Sequence, residues 1–411
     1  MQDPLSYLFG LEQFGIKFGL HNIQAICARL GHPERAFRSV HVAGTNGKGS
    51  VTAMVDAALR AAGHRTGRYT SPHLVRLNER FAVDGHPIED AELLDTITSV
   101  RRVVDALVGE HVLDTQPTFF EVTTAAAFEW FRRASVELAV IEVGLGGRLD
   151  ATNVITPEVT AITSIAFDHQ LYLGTSLASI AREKAGIIKR GVPVVVGDVD
   201  SEARAVIDEV AAANGAPVIK ASAADVENLE IGLPGAHQRG NAAVAMKLLA
   251  CLEDRGVAIG RDAVVQALSR TQWAGRLDLR RLADGREILM DAAHNAAGAE
   301  ALAKYLESLP GGRVPLVFAA MRDKDATTMF RALLPAVSGL ILTRAENPRS
   351  AAPDDLARVA RDVAPSLSID VAPALPDALE LGWRTSTTNR IVVAGSIFLL
   401  GDVLRRLGLN C

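Results

Sequence analysis

A lysine set in a run of glycines and followed two residues later by a serine marks the first place where spacing implies chemistry: Gly44-Thr45-Asn46-Gly47-Lys48-Gly49-Ser50. Glycines permit positive φ and close backbone approach, so successive N–H groups can point at phosphate oxygens, and a following helix N-terminus adds favourable partial charge. Lys48 supplies a point charge for the β- and γ-phosphates, and Ser50 offers a hydroxyl to Mg²⁺. The run departs from G-x-x-x-x-G-K-[ST] twice: Val42 stands where the first glycine belongs, and Gly49 separates Lys48 from Ser50. An ordinary glycine-rich turn has the same spacing, so the loop alone leaves both readings open.

Other reactive side chains fall at the ends of apolar runs. Glu142 closes Leu138–Val143 and precedes Gly144-Leu145-Gly146-Gly147-Arg148-Leu149-Asp150. A carboxylate at one strand end, facing a phosphate loop after another, suits a second Mg²⁺-binding group, although a solvated strand-terminal acid looks the same. Val159–Ile165 leads into Asp168-His169, where the imidazole is a metal ligand or a loop cap. Lys184 lies on a mostly apolar helix pattern; it faces solvent, or is a buried uncharged amine able to take up carbon dioxide as a carbamate. Glu287–Met290 ends in Asp291-Ala292-Ala293-His294-Asn295, where Asp291 can bind a ribose hydroxyl and His294 a phosphate oxygen, or Asp291 or Asn295 can cap a helix. Arg276 is a phosphate clamp or a plain linker charge. No Gly-x-Ser-x-Gly, His-Glu-x-x-His or paired-cysteine pattern offers competing chemistry.

The elements that must position these groups alternate. Strand-length apolar runs at Arg38–Ala43, Leu138–Val143, Val159–Ile165, Pro193–Val196, Glu287–Met290, Val314–Ala319, Gly339–Leu342 and Arg390–Ala394 are separated by helical patterns. The latter include Val51–Ala62, Phe119–Arg132, Leu177–Ile188, Asn241–Cys251 and Gly298–Leu309. This order predicts α/β architecture with mainly parallel sheets in both halves, and ligand sites outside the carboxyl ends of strands. Two successive helical patterns, Asn241–Cys251 and Arg261–Arg270, precede an irregular stretch, so the break between halves is expected near 272–276, giving domains 1–275 and 276–411. With 411 residues and 48% hydrophobic composition the chain can bury a sizeable core, which excludes a disordered or fibrous class. Its 43 basic and 48 acidic residues leave a net charge of −5 with no like-charge block, so nothing electrostatic recruits nucleic acid or an anionic membrane. Asp3 and Pro4 precede any apolar run, no stretch reaches membrane-spanning length, and Cys27, Cys251 and Cys411 are scattered; a cytoplasmic protein without a disulfide framework is expected.

Several segments in one order, HVAGTNGKGS (41–50), YTSPHLVRLNER (69–80), TFFEVTTAAAF (118–128), IEVGLGGRLDATNV (141–154), DHQLYLGTSLASIAREKAGIIK (168–189), QWAGRLD (272–278) and DAAHN (291–295), resemble the folylpolyglutamate synthase/dihydrofolate synthase family of Mur-type, ATP-dependent amide-forming ligases. The resemblance runs from about residue 1 to the Gly395-Ser396 turn. It implies an N-terminal P-loop domain with a mainly parallel sheet and a smaller, Rossmann-like C-terminal glutamate-ligase domain. It places ATP on Thr45, Asn46, Gly47, Lys48, Gly49 and Ser50, with Asn241, Arg276, Asp291 and His294 around the nucleotide. Mg²⁺, two ions in all, falls to Ser50, Ser71, Glu142 and His169, and Lys184 matches the family's carbamylated lysine. Ser71, Pro72 and His73, with Thr118, Phe120 and Glu121, match segments that shape the pterin and acyl pocket. Ser396 and the Asp323-Lys324-Asp325 turn match positions facing the cleft. The family's usual Asp-Gly-Ala-His-Asn-Pro reads Asp291-Ala292-Ala293-His294-Asn295-Ala296 here, which puts the turn geometry in question.

The reaction so implied joins a pteroyl carboxylate to the amine of L-glutamate through an acyl phosphate, with Lys48, Lys184, His169 and Glu142 as the catalytic set. The acceptor is a reduced folate, dihydropteroate or both, and the enzyme is expected to act as a monomer on small molecules. Two alternatives remain at this level. A sister ligase of cell-wall synthesis carries a substrate domain before its P-loop, whereas only about 43 residues precede Gly44 here. A slow P-loop switch would turn nucleotide over without glutamate.

Overall fold

The computed structural model describes residues 3–15, 17, 19–113 and 115–410, leaving aside the side chain of Phe14. Cys411, one of the three cysteines of the sequence reading, lies outside the described residues; Cys27 and Cys251 are free thiols, both buried.

The chain divides into two compact units. The first comprises Met1–Ile165, Leu173–Ile231 and Arg239–Thr271, and the second Ala166–Tyr172, Gly232–Gln238 and Gln272–Cys411. Two short segments thus leave the run of the first unit and cluster with the second, a feature that no linker composition announces.

The first unit holds an eight-stranded sheet of β1 (Arg38–Ala43), β2 (Thr66–Tyr69), β3 (Phe81–Val83), β4 (His86–Pro87), β5 (Leu138–Glu142), β6 (Val159–Ile162), β7 (Val194–Val196) and β8 (Val218–Lys220), in the order β4-β3-β2-β5-β1-β6-β7-β8. The run from β2 through β8 is parallel, and β3 and β4 add an antiparallel edge. Strands covered on both faces read as largely apolar runs, which is why β5, β6 and β7 are visible in the sequence, and β1 is legible through Val40, Val42 and Ala43. The interior strand β2 is not. Its residues Thr-Gly-Arg-Tyr owe their place to a partner outside the strand: Asp56, wholly buried on the helix Lys48–Ala61, accepts from Thr66 Oγ1 at 2.6 Å and from Arg68 at 3.2 Å. A polar side chain inside a sheet is stable when such a partner satisfies it.

The second unit holds six strands, β9 (Asp278–Arg281), β10 (Glu287–Met290), β11 (Pro315–Phe318), β12 (Gly339–Leu342), β13 (Ile369–Val371) and β14 (Arg390–Ala394), in the order β13-β12-β11-β14-β10-β9. All pairings are parallel except β9 with β10. Both units are therefore α/β with mainly parallel sheets. The helical pattern at Val51 begins earlier in space, at Lys48, which puts Lys48, Gly49 and Ser50 in the first helical turn. The pattern over Leu177–Ile188 closes sooner, at Ala185, and that over Asn241–Cys251 extends to His237–Glu253. Among the described residues no helix is long and apolar enough to cross a membrane.

Candidate active site

In the first unit the chemistry gathers at the end of β1. Gly44 has φ +153°, and a Cβ there would lie 1.9 Å from Thr163 Oγ1; Gly47 has φ +87°, and a Cβ would lie 2.2 Å from Asn241 Oδ1. Side chains at these two positions are thus excluded by conformation and by space. The loop between them is braced from the end of β6: Thr45 N–H donates to the Ser164 carbonyl at 2.8 Å, Asn46 N–H to Ser164 Oγ at 3.0 Å, and Thr163 Oγ1 to the Asn46 carbonyl at 2.7 Å. Gly47 then opens the helix Lys48–Ala61 with no side-chain cap on its amides. An uncapped N-terminus presents unpaired N–H groups and the positive end of the helix dipole, the arrangement that receives phosphate.

Two lysines converge on this loop. Lys48 Nζ folds back to the carbonyls of Gly44 at 3.2 Å and Thr45 at 3.3 Å, and Lys184 Nζ reaches the same Gly44 carbonyl at 3.0 Å. Lys184 is 4% exposed, so the solvated-face reading of its helix is corrected: the side chain points inward to the loop. Ser50 Oγ is buried without a hydrogen-bond partner. Such an orphaned hydroxyl is costly unless a ligand satisfies it, and it fits a metal-ligating role. Glu142, 5% exposed at the end of β5, accepts from Ser71 N–H at 3.3 Å, which puts two more of the expected metal donors side by side.

The expected acyl-pocket residues fall on two segments, Ser71–His73 just after β2 and the start of the helix Phe119–Arg133. His73 Nδ1 accepts from Arg80 Nε at 3.0 Å, and the Phe120 ring is 6.0 Å from that of Tyr69 and so close to Gly144 that a Cβ there would lie 2.5 Å from it. Thr118 and Glu121 are buried and engaged with each other. Thr118 caps the helix Phe119–Arg133 while Glu121 accepts from the Thr118 N–H at 2.7 Å and its hydroxyl at 2.8 Å, a reciprocal capping box. Their side chains fix the start of that helix and leave Phe120 to present a surface.

The second unit collects a different group. Asp168 accepts from Asn295 Nδ2 at 3.1 Å, from His294 Nε2 at 3.3 Å, and from Lys324 Nζ. Burial pushes its carboxyl up, but the His294 hydrogen bond and the charges of His294, His169 and Lys324 outweigh this and hold it well below the usual carboxylate range. His169, next in sequence, has the left-handed φ of +50°, uncommon for a residue with a side chain and a form of strain that clusters at functional sites. Asp291 is buried, its two oxygens taken by the N–H groups of Leu277 and Ala293, both at 2.9 Å. Burial raises its carboxyl above the usual range against the opposing charge of Arg276. Of the two candidate helix caps it is Asn295 that caps Ala296–Ser308, through Gly298 N–H at 2.9 Å. Ser396 caps Ile397–Leu407 and Asp325 caps Ala326–Leu333, so each side chain already satisfies a helix amide. Arg276 donates to the Gly275 carbonyl at 3.1 Å.

The structure thus brings Gly44, Asn46, Gly47, Lys48, Asn241 and Lys184 together, and Glu142 with Ser71. The hub role of Asp168 and the bracing by Thr163 and Ser164 were not assigned from sequence; the only signal was their place at or just beyond the end of one strand. Among the described residues no three His, Cys, Asp or Glu side chains cluster as a metal site. The expected set, two hydroxyls, one carboxylate and one imidazole, contains only two side chains of those types.

A braced glycine loop between a parallel strand and an uncapped helix, with a lysine folded onto it and a second α/β unit after it, defines a P-loop nucleotide-binding protein. Comparison with known families makes the class specific: residues 42–249 match the Mur ligase middle domain and residues 275–397 the Mur ligase glutamate ligase domain. The chain is 34% identical to a dihydrofolate synthase/folylpolyglutamate synthase of Bacillus subtilis over 99% of both chains. Among solved structures it is similar to Mycobacterium tuberculosis folylpolyglutamate synthase complexed with ADP and AMPPCP, with a TM-score of 0.89 and 33% identity over 99% of this chain and 100% of that one. It is also similar to a bifunctional folylpolyglutamate synthase/dihydrofolate synthase with Mn, AMPPNP and L-glutamate bound, with a TM-score of 0.85 and 30% identity over 100% of this chain and 99% of that one. The chain belongs to the dihydrofolate synthase/folylpolyglutamate synthase family.

Proposed function

We infer that this protein is an ATP-dependent ligase that adds L-glutamate to the carboxylate of a pteroyl compound, accepting both dihydropteroate and reduced folate. The observation that carries the reading is the loop Gly44–Ser50, braced in an anion-receiving shape with Lys48 and Lys184 converging on the Gly44 carbonyl. A carboxylate does not react with an amine at neutral pH without activation. The acceptor carboxylate attacks the γ-phosphorus of ATP, giving an acyl phosphate and ADP; the neutral amine of glutamate then attacks the acyl carbon and phosphate leaves. Loop amides and Lys48 carry the charge that spreads over the transferring phosphoryl group, fixed dipoles and a fixed cation that need no reorganisation.

The donor set fits Mg²⁺: Ser50 with its orphaned hydroxyl, Ser71 and Glu142, with His169 as a further ligand and two ions in all. Bound there, Mg²⁺ supplies neutralising charge for the phosphate oxygens. Asn241, Arg276, Asp291 and His294 are assigned to the nucleotide, and Ser71, Pro72, His73, Thr118, Phe120 and Glu121 to the acceptor pocket, with Ser396 toward glutamate. Lys48 and Lys184 Nζ both reach the Gly44 carbonyl, where two cations would repel; the Lys184 amine, once it has shed its proton, adds to the carbon of carbon dioxide and loses a second proton, and the resulting carbamate anion relieves that repulsion and adds a carboxylate-like group. The domains of this reading are 1–275 and 276–411, and the enzyme acts as a cytoplasmic monomer.

Phosphate release from ATP with Mg²⁺, measured with and without glutamate and with dihydropteroate and tetrahydrofolate in parallel, tests the reading. Glutamate-dependent release with both acceptors is expected, and ATP turnover indifferent to glutamate refutes it. Lys184→Ala is expected to cut that turnover steeply; near-wild-type activity with carbon dioxide present would remove the carbamate from the scheme.

A further inference from the structure

Two arginines of the first unit are largely withdrawn from solvent beside the sheet that carries the site, Arg68 within β2 and Arg80 just before β3, and they differ in one respect. Arg68 is paired, at 3.2 Å, with Asp56. Arg80, 8% exposed, has only neutral groups against its guanidinium: Nε donates to His73 Nδ1 at 3.0 Å, its carbon lies 5.1 Å over the Phe119 ring, and the Tyr69 phenol is a further hydrogen-bond partner. Among the described residues no carboxylate reaches ion-pair distance; Glu12 and Glu142 act on it from further away. A buried charge is normally paired, because removal from water is costly and an opposite charge in a low dielectric offsets it. Among the described residues Arg80 is therefore a buried cation with no carboxylate at ion-pair distance.

Its place beside the sheet indicates which anion it can receive. The Thr70 N–H donates to the Arg80 carbonyl at 3.0 Å, and Tyr69, Thr70's neighbour, pairs with Ile141, the residue before Glu142. Arg80 and Glu142 thus flank the strand end Tyr69-Thr70-Ser71, and Ser71 N–H reaches Glu142. With Nε committed to His73, the terminal nitrogens form the planar fork that matches a carboxylate. Phe119 lies under the guanidinium and starts the helix whose next residue, Phe120, lines the proposed acceptor pocket.

We propose that Arg80 is a substrate-binding residue whose guanidinium receives the carboxylate of the acceptor, the group that is to be activated. The inference rests on the ligase reading above and adds a determinant of specificity: the site selects an anionic acid over a neutral derivative of the same shape.

The test compares dihydropteroate with its carboxamide, which has the same shape without the charge. Dissociation constants of both are measured by calorimetry with Mg²⁺ and ADP present, for the wild type, Arg80→Lys and Arg80→Gln. The carboxylate-over-carboxamide preference is expected to fall by about tenfold or more in Arg80→Gln, through weaker binding of the carboxylate alone, with part retained in Arg80→Lys. A smaller fall overturns the proposal, and so does parallel weakening of both ligands, the signature of a purely structural role. An unchanged ADP affinity shows that the phosphate loop is intact in each variant; where Arg80→Gln loses it, Arg80→Lys alone decides by the same preference. Wild-type protein that ligates glutamate to neither acceptor refutes the ligase reading instead.

Discussion

Two strand ends in this molecule lead through a short polar turn into a helix, and they treat the helix N-terminus in opposite ways. After β1 the helix Lys48–Ala61 starts at Gly47 without a side-chain cap, and the loop's shape is held from outside by Thr163, Ser164 and Asn241. After β10 the helix Ala296–Ser308 is capped by Asn295, and the two oxygens of Asp291 are spent on Leu277 and Ala293 N–H groups. The first turn keeps its amides available, so it can receive an anion. The second satisfies its own backbone, and its chemistry is left to His294, whose Nδ1 donates to the Ala292 carbonyl at 2.8 Å while Nε2 faces Asp168. A glycine loop braced by its neighbours makes a ligand site; a polar turn that caps itself makes a fixed support.

Substitutions at the two ends should divide accordingly. The largest effect is expected for Lys48→Ala, which removes the loop's cation and should lower glutamate-dependent phosphate release on the order of 10²- to 10³-fold, with the fold intact by circular dichroism. Gly47→Ala comes next: the new Cβ meets Asn241 Oδ1 and an alanine at φ +87° is strained by about 1–3 kcal/mol, so calorimetry should show nucleotide affinity reduced by roughly tenfold or more. At the other end, Asn295→Ala loses a cap worth about 1 kcal/mol and should lower the unfolding midpoint by a few degrees while nucleotide affinity changes less than for Gly47→Ala. Asp325→Ala, which removes the exposed cap on Thr328, should do the same to a smaller extent, about 0.5–1 kcal/mol. A loss of nucleotide binding in Asn295→Ala as large as that in Gly47→Ala would erase the distinction.

How much was legible follows from where each residue finds its partners. The phosphate loop could be read because its determinants are consecutive: strand, glycines, lysine, serine and helix lie within Arg38–Ala61. Strands β1, β10, β12 and β14 have the bounds that their runs predict, since every residue after the first of each is buried. Lys184 could not be placed from its helix pattern, because its inward direction depends on Gly44, 140 positions away. Strand β2 was invisible for a related reason: its Thr66 and Arg68 are made tolerable by Asp56 on a helix. Arg80 read as one charge among many in YTSPHLVRLNER, and only the structure shows its guanidinium against His73, Phe119 and Tyr69, with no carboxylate at ion-pair distance among the described residues.

The sequence by itself determined the α/β class, the phosphate loop and, through its ordered motifs, the family, because these rest on local periodicity and on residues adjacent in the chain. The tertiary structure decided which polar groups also serve a helix terminus and which are buried with a hydrogen bond or a charge unmet. Thr118, Glu121, Asn295, Ser396 and Asp325 satisfy helix amides, whereas Ser50 is buried without a hydrogen-bond partner and Arg80, among the described residues, without a carboxylate at ion-pair distance. The physical reason is that a side chain's chemistry depends on whether its hydrogen bonds and charge are already met, and those partners come from strands and helices far apart in the chain.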